Sequence, residues 1–188
     1  MNLRPSTLDD LGILATLSWY FREFEAACPS VKLERDIGVA EADVPQLLKI
    51  SIFRIVQEAT NNALKHARAK SIRVCLHSAG GALELTIEDN GQGFDPEAAT
   101  TDFNHGLGLQ SMRERAELSG GSYEMVSAPG RGTRIQVGWP PPEQLARDWA
   151  AIPEPYSAPS TQEIIPTDRR MPEAFSACLA CMRSLRSQ

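Results

Sequence analysis

A carboxylate stands at the end of a predicted strand, on the side of that strand that should be buried. Leu83, Leu85 and Ile87 alternate with polar residues, so the three apolar side chains point to one face and predict a core there. Asp89 has the same parity, and the stretch "NGQG" follows it at 90–93. A buried charge without a partner costs several kcal/mol. We therefore expect a polar group from elsewhere to meet Asp89.

A strip of polar side chains lies beside the apolar face of a long predicted helix. Glu58, Asn62 and Lys65 stand at i, i+4 and i+7, which places them on one side of the helix, and His66 adjoins them. A solvated helix edge with a Glu–Lys pair would give the same spacing. Asparagine is a poor helix former, however, and the second asparagine at Asn61 weakens this purely structural interpretation. The strip is therefore a candidate functional surface.

Glycine-rich stretches recur at three points after this helix. "DNGQG" at 89–93 gives the backbone freedom to approach a ligand closely. "HGLGL" at 105–109 puts two glycines at the predicted start of a helix, where free N–H groups bind anions. "GRGT" at 130–133 leads into the last strand, where Thr133 shares the parity of the apolar residues and so points inward, as Asp89 does. Each stretch alone is a weak signal, but the ordered set is specific.

These residues need a scaffold of helices and strands. Apolar periodicity predicts helices over 6–27, 44–67 and 107–118, and strands over 31–37, 71–78, 83–89, 122–128 and 132–139. The expected apolar stripes are Leu11, Leu14, Leu17, Phe21 and Phe24 on the first helix, and Leu48, Ile52, Ile55, Ala59 and Ala63 on the second. Short connections between the strands favour an antiparallel or mixed sheet with helices on one face. The predicted fold class is therefore α+β, a two-layer α/β sandwich, with a polar loop over 91–106.

Composition limits the classes of function. The chain has 188 residues, is 42% hydrophobic and 23% charged, and carries a net charge of −5. This suits one domain with an appendage or two small domains, and the acidic balance argues against nucleic acid as the main partner. No apolar run reaches the roughly 18 residues of a membrane span, and "MNLRPSTLDD" lacks the apolar stretch of a signal peptide. The four cysteines are scattered, so we expect a cytoplasmic protein without a disulfide framework or direct membrane insertion.

The segment 141–188 differs in composition from the rest. Proline, serine and threonine are frequent in it, as in "IPEPYSAPSTQ", and such a segment buries little apolar surface and is predicted to be disordered. A short helix is predicted near "EAFSACLACMRSL". Its Cys178-x-x-Cys181 pair is compatible with metal or redox chemistry, but the sequence has no second pair to complete a four-ligand zinc site. A tail is the simpler interpretation, and docking of a partner is one role open to it.

Taken together, the motifs resemble a known family. "QEATNNALKHA" resembles the N box, "IEDNGQGFD" the G1 box and "HGLGLQSMRERAELSGG" the G2 box of the ATP-binding catalytic domain of bacterial sensor histidine kinases, which are GHKL ATPases with the Bergerat fold. "LRPSTLDDLG" and "NALKHA" resemble the subfamily paired with helix-turn-helix response regulators of the NarL/LuxR type. The resemblance covers residues 3–139 approximately.

The resemblance implies roles at the base end of a bound nucleotide. Asp89 would accept a hydrogen bond from the adenine amino group, which supplies the partner that its position demands. Thr133 would lie beside it, and Gly91 and Gly93 would let the loop pass close to the base.

The resemblance also implies roles at the phosphate end. Asn62 would ligate Mg²⁺ through its carbonyl oxygen, a hard donor for a hard ion, and Lys65 or His66 would approach the phosphates. Glu58, with Asn62, would form the catalytic pair and would polarise or position the attacking group. The implied nucleotide contacts at the start of the third helix are Gly106, Leu107, Gly108 and Leu109. Residues 94–105 would form a lid over ATP.

The implied activity is a protein histidine kinase, which transfers the γ-phosphate of ATP to a histidine for relay to a response regulator. The family's acceptor histidine lies on a helix before the "LRP" stretch, and His66, His77 and His105 do not resemble it. The expected division is 1–28 as the end of the dimerisation and phosphoacceptor region, 29–140 as the ATP-binding catalytic domain, and 141–188 as the tail. The implied partners are the phosphoacceptor domain of the same kinase, a response regulator and, in the full-length kinase, a second copy.

Three rival functions use overlapping signals. A GHKL ATPase or anti-sigma-type serine kinase would share the pocket, but "LRPSTLDDLG" argues against it. A nucleotide-responsive binding module without transferase activity is compatible with the missing acceptor, whereas the presence of Glu58 and Asn62 favours catalysis. A dinucleotide oxidoreductase is disfavoured because "GLGLQS" lacks the last glycine of G-x-G-x-x-G and follows a polar loop rather than a strand.

Overall fold

The computed structural model describes residues 6–96, 103–141 and 143–144. Its helices are α1 (Ser6–Ala27), α2 (Gln46–Asn62) and α3 (Phe103–Leu118), and its strands are β1 (Lys32–Gly38), β2 (Ser71–Ala79), β3 (Ala82–Asp89), β4 (Ser122–Ser127) and β5 (Thr133–Trp139). The described residues belong to one compact unit, Met1–Ile152. The predicted tail from 145 onward, with Cys178 and Cys181, lies outside the described residues, as does 97–102 within the predicted lid. Along the described stretches, no helix is both long and apolar enough to cross a membrane.

One five-stranded mixed sheet forms a layer of the fold, in the order β1-β2-β3-β5-β4. β1 pairs with β2 in parallel, and the other pairs are antiparallel. One face of the sheet is buried in a single cluster with the apolar faces of α1 and α2 and with Met112 and Ala116 of α3. The other face carries exposed residues, among them Glu34, Arg73 and Glu84. The predicted α+β two-layer sandwich with a mixed, mainly antiparallel sheet is confirmed.

The helix α2 carries the stripe that the sequence predicts. Leu48, Ile52, Ile55, Ala59 and Ala63 are all buried. The α-helical hydrogen bonding does not persist to the predicted end, however, because Ala63–Ala67 form a π-helical turn and Arg68 closes it in the left-handed conformation at φ 52°. Such turns have one extra residue per hydrogen-bonded ring and recur at functional sites.

The helix α1 is broken at Gly12, which lies inside the continuous helix predicted over 6–27. Gly12 has φ 84° and ψ −179°, a conformation that costs glycine little. The carboxylate of Glu41 enters the break and accepts hydrogen bonds from the N–H groups of Ile13 and Leu14, both at 2.9 Å. Lys49 in the first turn of α2 pairs with the same carboxylate at 2.6 Å. A Cβ at position 12 would overlap the Glu41 carboxylate.

The break changes which residues of α1 are buried. Leu17, Phe21 and Phe24 are buried as predicted, but Leu11 is 65% exposed. The predicted stripe required one continuous helix from 6 to 27. Because Gly12 is not helical, the turn before it faces a different direction from the one that continuous helix would give. Leu8 is buried in place of Leu11.

The helix α3 begins at Phe103, four residues before the predicted start at Leu107. Gly106 therefore lies in the first turn and Gly108 in the second. The two glycines do not end the helix, although glycine costs roughly 1 kcal/mol in a helix interior. At Gly108 the missing side chain permits a close approach to α2: a Cβ there would overlap the Glu58 carboxylate and lie 3.3 Å from Asn62 Nδ2.

We expect Glu41→Ala to destabilise the fold by about 0.5–2 kcal/mol, the range for losing a helix N-terminal cap. Burial raises the pKa of Glu41, but the hydrogen bonds from Lys49, Leu14 and Ile13 outweigh burial and hold this pKa below its ordinary value. A lowered folded-state pKa means that the stabilisation is present above the unfolded-state pKa, about 4.3, and is lost as pH falls through the folded-state pKa. Urea unfolding at neutral pH and in this acid range measures both effects.

The matched control is Glu25→Ala, which removes an exposed pair with Arg35 at 3.2 Å and should cost little. If Glu41→Ala costs no more than this control at neutral pH, the cap at the break does not stabilise the fold.

Candidate nucleotide-binding site

A cleft of about 590 Å³ opens between the end of α2, the loop after β3, the helix α3 and the start of β5. Seven of the residues predicted from the motifs line it: Asn62, Lys65, His66, Asp89, Gly93, Leu109 and Thr133. They come from segments widely separated in the sequence, so the fold brings the separate motifs to one place. The volume lies in the range of small-molecule and cofactor sites.

Asp89 lines this cleft as the last residue of β3. Its Oδ1 accepts a hydrogen bond from the N–H of Gly91 at 2.8 Å, and the amide and hydroxyl of Thr133 also donate to the carboxylate. Burial raises the pKa of Asp89, and these hydrogen bonds compensate in part, so the pKa stays above the ordinary aspartate value. A carboxylate has about four acceptor sites, so it retains capacity for a further donor.

Thr133 is held where β3 and β5 pair, because Asp89 and Thr133 are register partners. Its hydroxyl lies 3.1 Å from Ser127 Oγ. The same Ser127 hydroxyl donates to the Gly132 carbonyl at 2.9 Å and accepts from the Phe94 N–H at 3.0 Å. These bonds fix the mouth of the cleft on the β4–β5 side.

The loop after β3 is hydrogen-bonded to the π-helical turn and lies close to Ala128. The N–H of Gln92 donates to the Ala67 carbonyl at 2.8 Å, and its side-chain amide donates to the His66 carbonyl at 2.7 Å. Gly93 adopts φ 57°, and a Cβ there would overlap the Ala128 carbonyl oxygen. Glycine at 93 is thus required by backbone conformation and by space, whereas Gly91 does not line the cleft and provides the N–H that meets Asp89.

The phosphate-end candidates cluster where α2 meets α3. Glu58 and Asn62 are half-buried, one turn apart, and both face the Gly108 position. Lys65 and His66 lie on the π-helical turn, line the cleft and are exposed. An amide and a cationic ammonium at the rim suit a bound anion and its counter-ion.

Four predicted contacts are not among the described residues that line the cleft, namely Glu58, Gly91, Leu107 and Gly108. Glu58 is beside the cleft, next to Gly108, rather than in its lining. Leu107 is 69% exposed. The side chains of residues 103–106 lie outside the described part of the chain, so Gly106 is placed by its backbone alone, in the first turn of α3.

Sequence reasoning missed the apolar walls of the cleft and part of its rim. The additional lining residues are Ala59, Ala63, Ala67, Arg68, Gln92, Phe94, Asp95 and Ile135. The available signal was the spacing of small alanines at i, i+4 and i+8 (59, 63 and 67), on α2 and on the π-helical turn that follows it, since small side chains leave room beside a helix for a flat ligand. The sequence assigned the first two of them to the core, and both are buried, but the lining shows that they also face the cleft.

Comparisons with known proteins agree with this arrangement. The family described as histidine kinase-, DNA gyrase B-, and HSP90-like ATPase matches residues 48–144. The signal transduction histidine-protein kinase/phosphatase DegS of Bacillus subtilis (strain 168) is 38% identical over 140 residues, which are 73% of this chain and 36% of DegS. The chain thus spans about a third of the length of this relative.

Solved structures share the fold. The histidine kinase domain from the Erythrobacter litoralis EL346 blue-light activated histidine kinase matches with a TM-score of 0.56 and 24% identity, covering 70% of this chain and 62% of that one. The mycobacterial sensor histidine kinase MprB matches with a TM-score of 0.50 and 19% identity, covering 68% of this chain and 93% of that one.

The family match extends over more than half of the chain and contains the α2, β3, α3 and β5 segments that build the cleft. The chain therefore belongs to the family of histidine kinase-, DNA gyrase B- and HSP90-like ATPases, and its ATPase domain is of the histidine kinase type.

Proposed function

We propose that this chain binds Mg-ATP in the cleft and acts as the catalytic domain of a two-component sensor histidine kinase. The observation that carries the proposal is the half-buried Asp89 carboxylate, which lines the cleft with acceptor capacity to spare. An adenine amino group is a donor of the right kind for it. The apolar side chains of Ala63, Leu109 and Ile135 line the same cleft and suit the faces of a planar base.

The residues at the other end fit a magnesium-bound triphosphate. Mg²⁺ in nucleotide sites is held by few protein oxygens and by the phosphates and water, so the single Asn62 carbonyl oxygen is a sufficient protein ligand. Lys65 and His66 provide donors at the rim, and Gly106, Leu107 and Gly108 at the start of α3 are the further proposed phosphate contacts. Bound Mg-ATP supplies the γ-phosphoryl group, and the protein's contribution to such a transfer is mainly positioning and charge neutralisation.

Glu58 is the proposed catalytic carboxylate. It lies one turn before Asn62 on α2, close to Gly108, and is thus held beside the proposed phosphate site. In that place it can orient or polarise the attacking histidine.

The proposals on domain division and partners rest on the resemblance of the sequence motifs. We propose that residues 1–28, which include α1, are the end of a dimerisation and phosphoacceptor region, that 29–140 are the catalytic domain, and that 141–188 are a tail. The acceptor is a histidine domain of the same kinase, which is a homodimer in the cytoplasm. The phosphoryl group passes to a response regulator of the helix-turn-helix type.

Asp89→Asn should weaken ATP and ADP about tenfold to a hundredfold, with or without magnesium, because a hydrogen bond to a charged group is worth roughly 1.5–3 kcal/mol. Discrimination against GTP should be lost. Titration calorimetry with the three nucleotides measures this. The control is Glu88→Gln on the opposite face of the same strand, where Glu88 pairs with Arg134 at 3.2 Å and affinity should not change.

The folded-state pKa of Asp89 is raised, so the stabilisation that its protonated form gives the nucleotide-free protein is lost as pH rises through that pKa. Asp89→Asn should remove this pH dependence, which urea unfolding at two pH values without nucleotide measures. Unchanged ATP affinity in Asp89→Asn would show that the carboxylate does not bind the adenine amino group.

Asn62→Ala should reduce the affinity gained on adding Mg²⁺ while leaving metal-free ADP binding nearly intact, because the proposed role of Asn62 is to ligate the ion. Calorimetry with magnesium and with EDTA separates the magnesium-dependent affinity from the metal-free affinity. Asn61→Ala is the matched control, since Asn61 is the adjacent amide on α2 and is not among the residues that line the cleft. An equal loss of metal-free ADP and Mg-ATP would make Asn62 a packing residue instead.

Glu58→Gln should slow transfer of label from γ-labelled ATP to a separately supplied phosphoacceptor histidine domain by about a hundredfold or more, the scale of lost acid–base assistance. ATP affinity should change little. The product should be acid-labile, as phosphohistidine is, and this chain should itself stay unlabelled. Acid-stable label on serine would contradict the histidine kinase proposal but not nucleotide binding.

A further inference from the structure

Three metal-ligating side chains meet on the exposed face of the sheet, opposite the face that the helices cover. They are Asp36 of β1 and Cys75 and His77 of β2, and one donor atom from each lies within 4.8 Å of the others. The pairing of the strands creates the cluster: Asp36 is the register partner of Cys75 in the parallel β1–β2 pair, and His77 follows two residues later on the same face. The thiol is free and half-buried.

One distance within the cluster suits a tetrahedral ion. His77 Nε2 lies 3.3 Å from Asp36 Oδ2. Two ligands bound at about 2.0–2.1 Å and at the tetrahedral angle are themselves about 3.3 Å apart. The carboxylate and imidazole thus already stand at the separation that a shared zinc ion requires.

A glycine holds the imidazole in this place. Gly38 is the register partner of His77, and a Cβ at position 38 would lie 2.5 Å from His77 Nδ1. The ring occupies the space that a side chain would fill, with Nδ1 toward Gly38 and Nε2 toward Asp36. Position 38 therefore orients a ligand without contributing a donor.

The donor set discriminates among metals. A thiolate, an imidazole and a carboxylate suit Zn²⁺, whereas Mg²⁺ prefers oxygen ligands alone. Glu84, the β3 register partner of His77, adds negative charge beside the cluster. Three protein ligands leave the fourth tetrahedral position for water.

We infer that Asp36, Cys75 and His77 form a zinc site that ties the edge strand β1 to β2, on the face of the sheet away from the nucleotide cleft. β1 is an edge of the sheet and is the strand that directly follows α1. A metal bond across this pair stabilises the folded state by mass action, because the site does not exist in the unfolded chain.

The test uses the full chain carrying Cys178→Ser and Cys181→Ser, because these changes remove the other candidate thiol pair. The solution contains a non-thiol reductant and no nucleotide. Titration with Co²⁺ should give one equivalent of a thiolate-to-cobalt absorption band of tetrahedral type, and Zn²⁺ should displace it. Cys75→Ser should abolish the band. Asp36→Asn and His77→Gln should weaken affinity by more than the roughly tenfold to hundredfold that follows loss of an outer-shell partner.

Two further variants keep the test specific. Gly38→Ala removes no donor, but it should lower the affinity for the metal about tenfold because it displaces the imidazole. Cys28→Ser should leave the affinity unchanged. Zn²⁺ should raise the thermal unfolding midpoint of the parent protein but not of Cys75→Ser. The inference fails if no band forms, if the band survives Cys75→Ser, or if Cys28→Ser removes it.

Discussion

The site depends on one constraint: a carboxylate has to be held at the edge of an apolar core without being neutralised by another side chain of opposite charge. Asp89 meets this constraint through backbone donors and one hydroxyl, from Gly91 and Thr133. Hydrogen-bond donors of this kind stabilise the charge while leaving part of its acceptor capacity unused. An arginine in their place would saturate the carboxylate. The pairing of β3 with β5 and the close fit of the loop at Gly93 both serve to bring these donors together.

The proposed phosphate end of the cleft has a different physical basis. There the polar groups are placed by the contact between two helices, and that contact needs the absence of a side chain at Gly108. The π-helical turn at Ala63–Ala67 then redirects the chain so that Lys65 and His66 stand at the rim of the cleft. Rigid strands thus define the proposed base end of the cleft, and helix packing defines its proposed phosphate end.

Part of the fold and of the candidate site could be predicted from the sequence, because side chains repeat with a fixed period along strands and helices. The alternation Leu83, Leu85, Ile87 and then Asp89 identifies an inward carboxylate because the strand period is two residues, and the structure places Asp89 in the cleft. The stripe on α2 was likewise predicted correctly. The break at Gly12 was not, because the conformation of one glycine is decided by the distant Glu41, and no local pattern announces that contact. The early start of α3 was missed for a related reason, since packing against α2 outweighs the intrinsic cost of glycine. The Asp36–Cys75–His77 cluster requires the parallel register of β1 and β2, which periodicity does not determine.

The break in α1 is linked directly to the helix that ends at the cleft. The carboxylate of Glu41, which accepts the N–H of Ile13 beside Gly12, also pairs with Lys49 at the beginning of α2. α2 runs from there to Asn62, a span of about 25 Å at 1.5 Å per residue. The contact that holds the break and the residues that line the cleft are therefore joined by a single helix, with Lys49 near its start and Asn62 at its end.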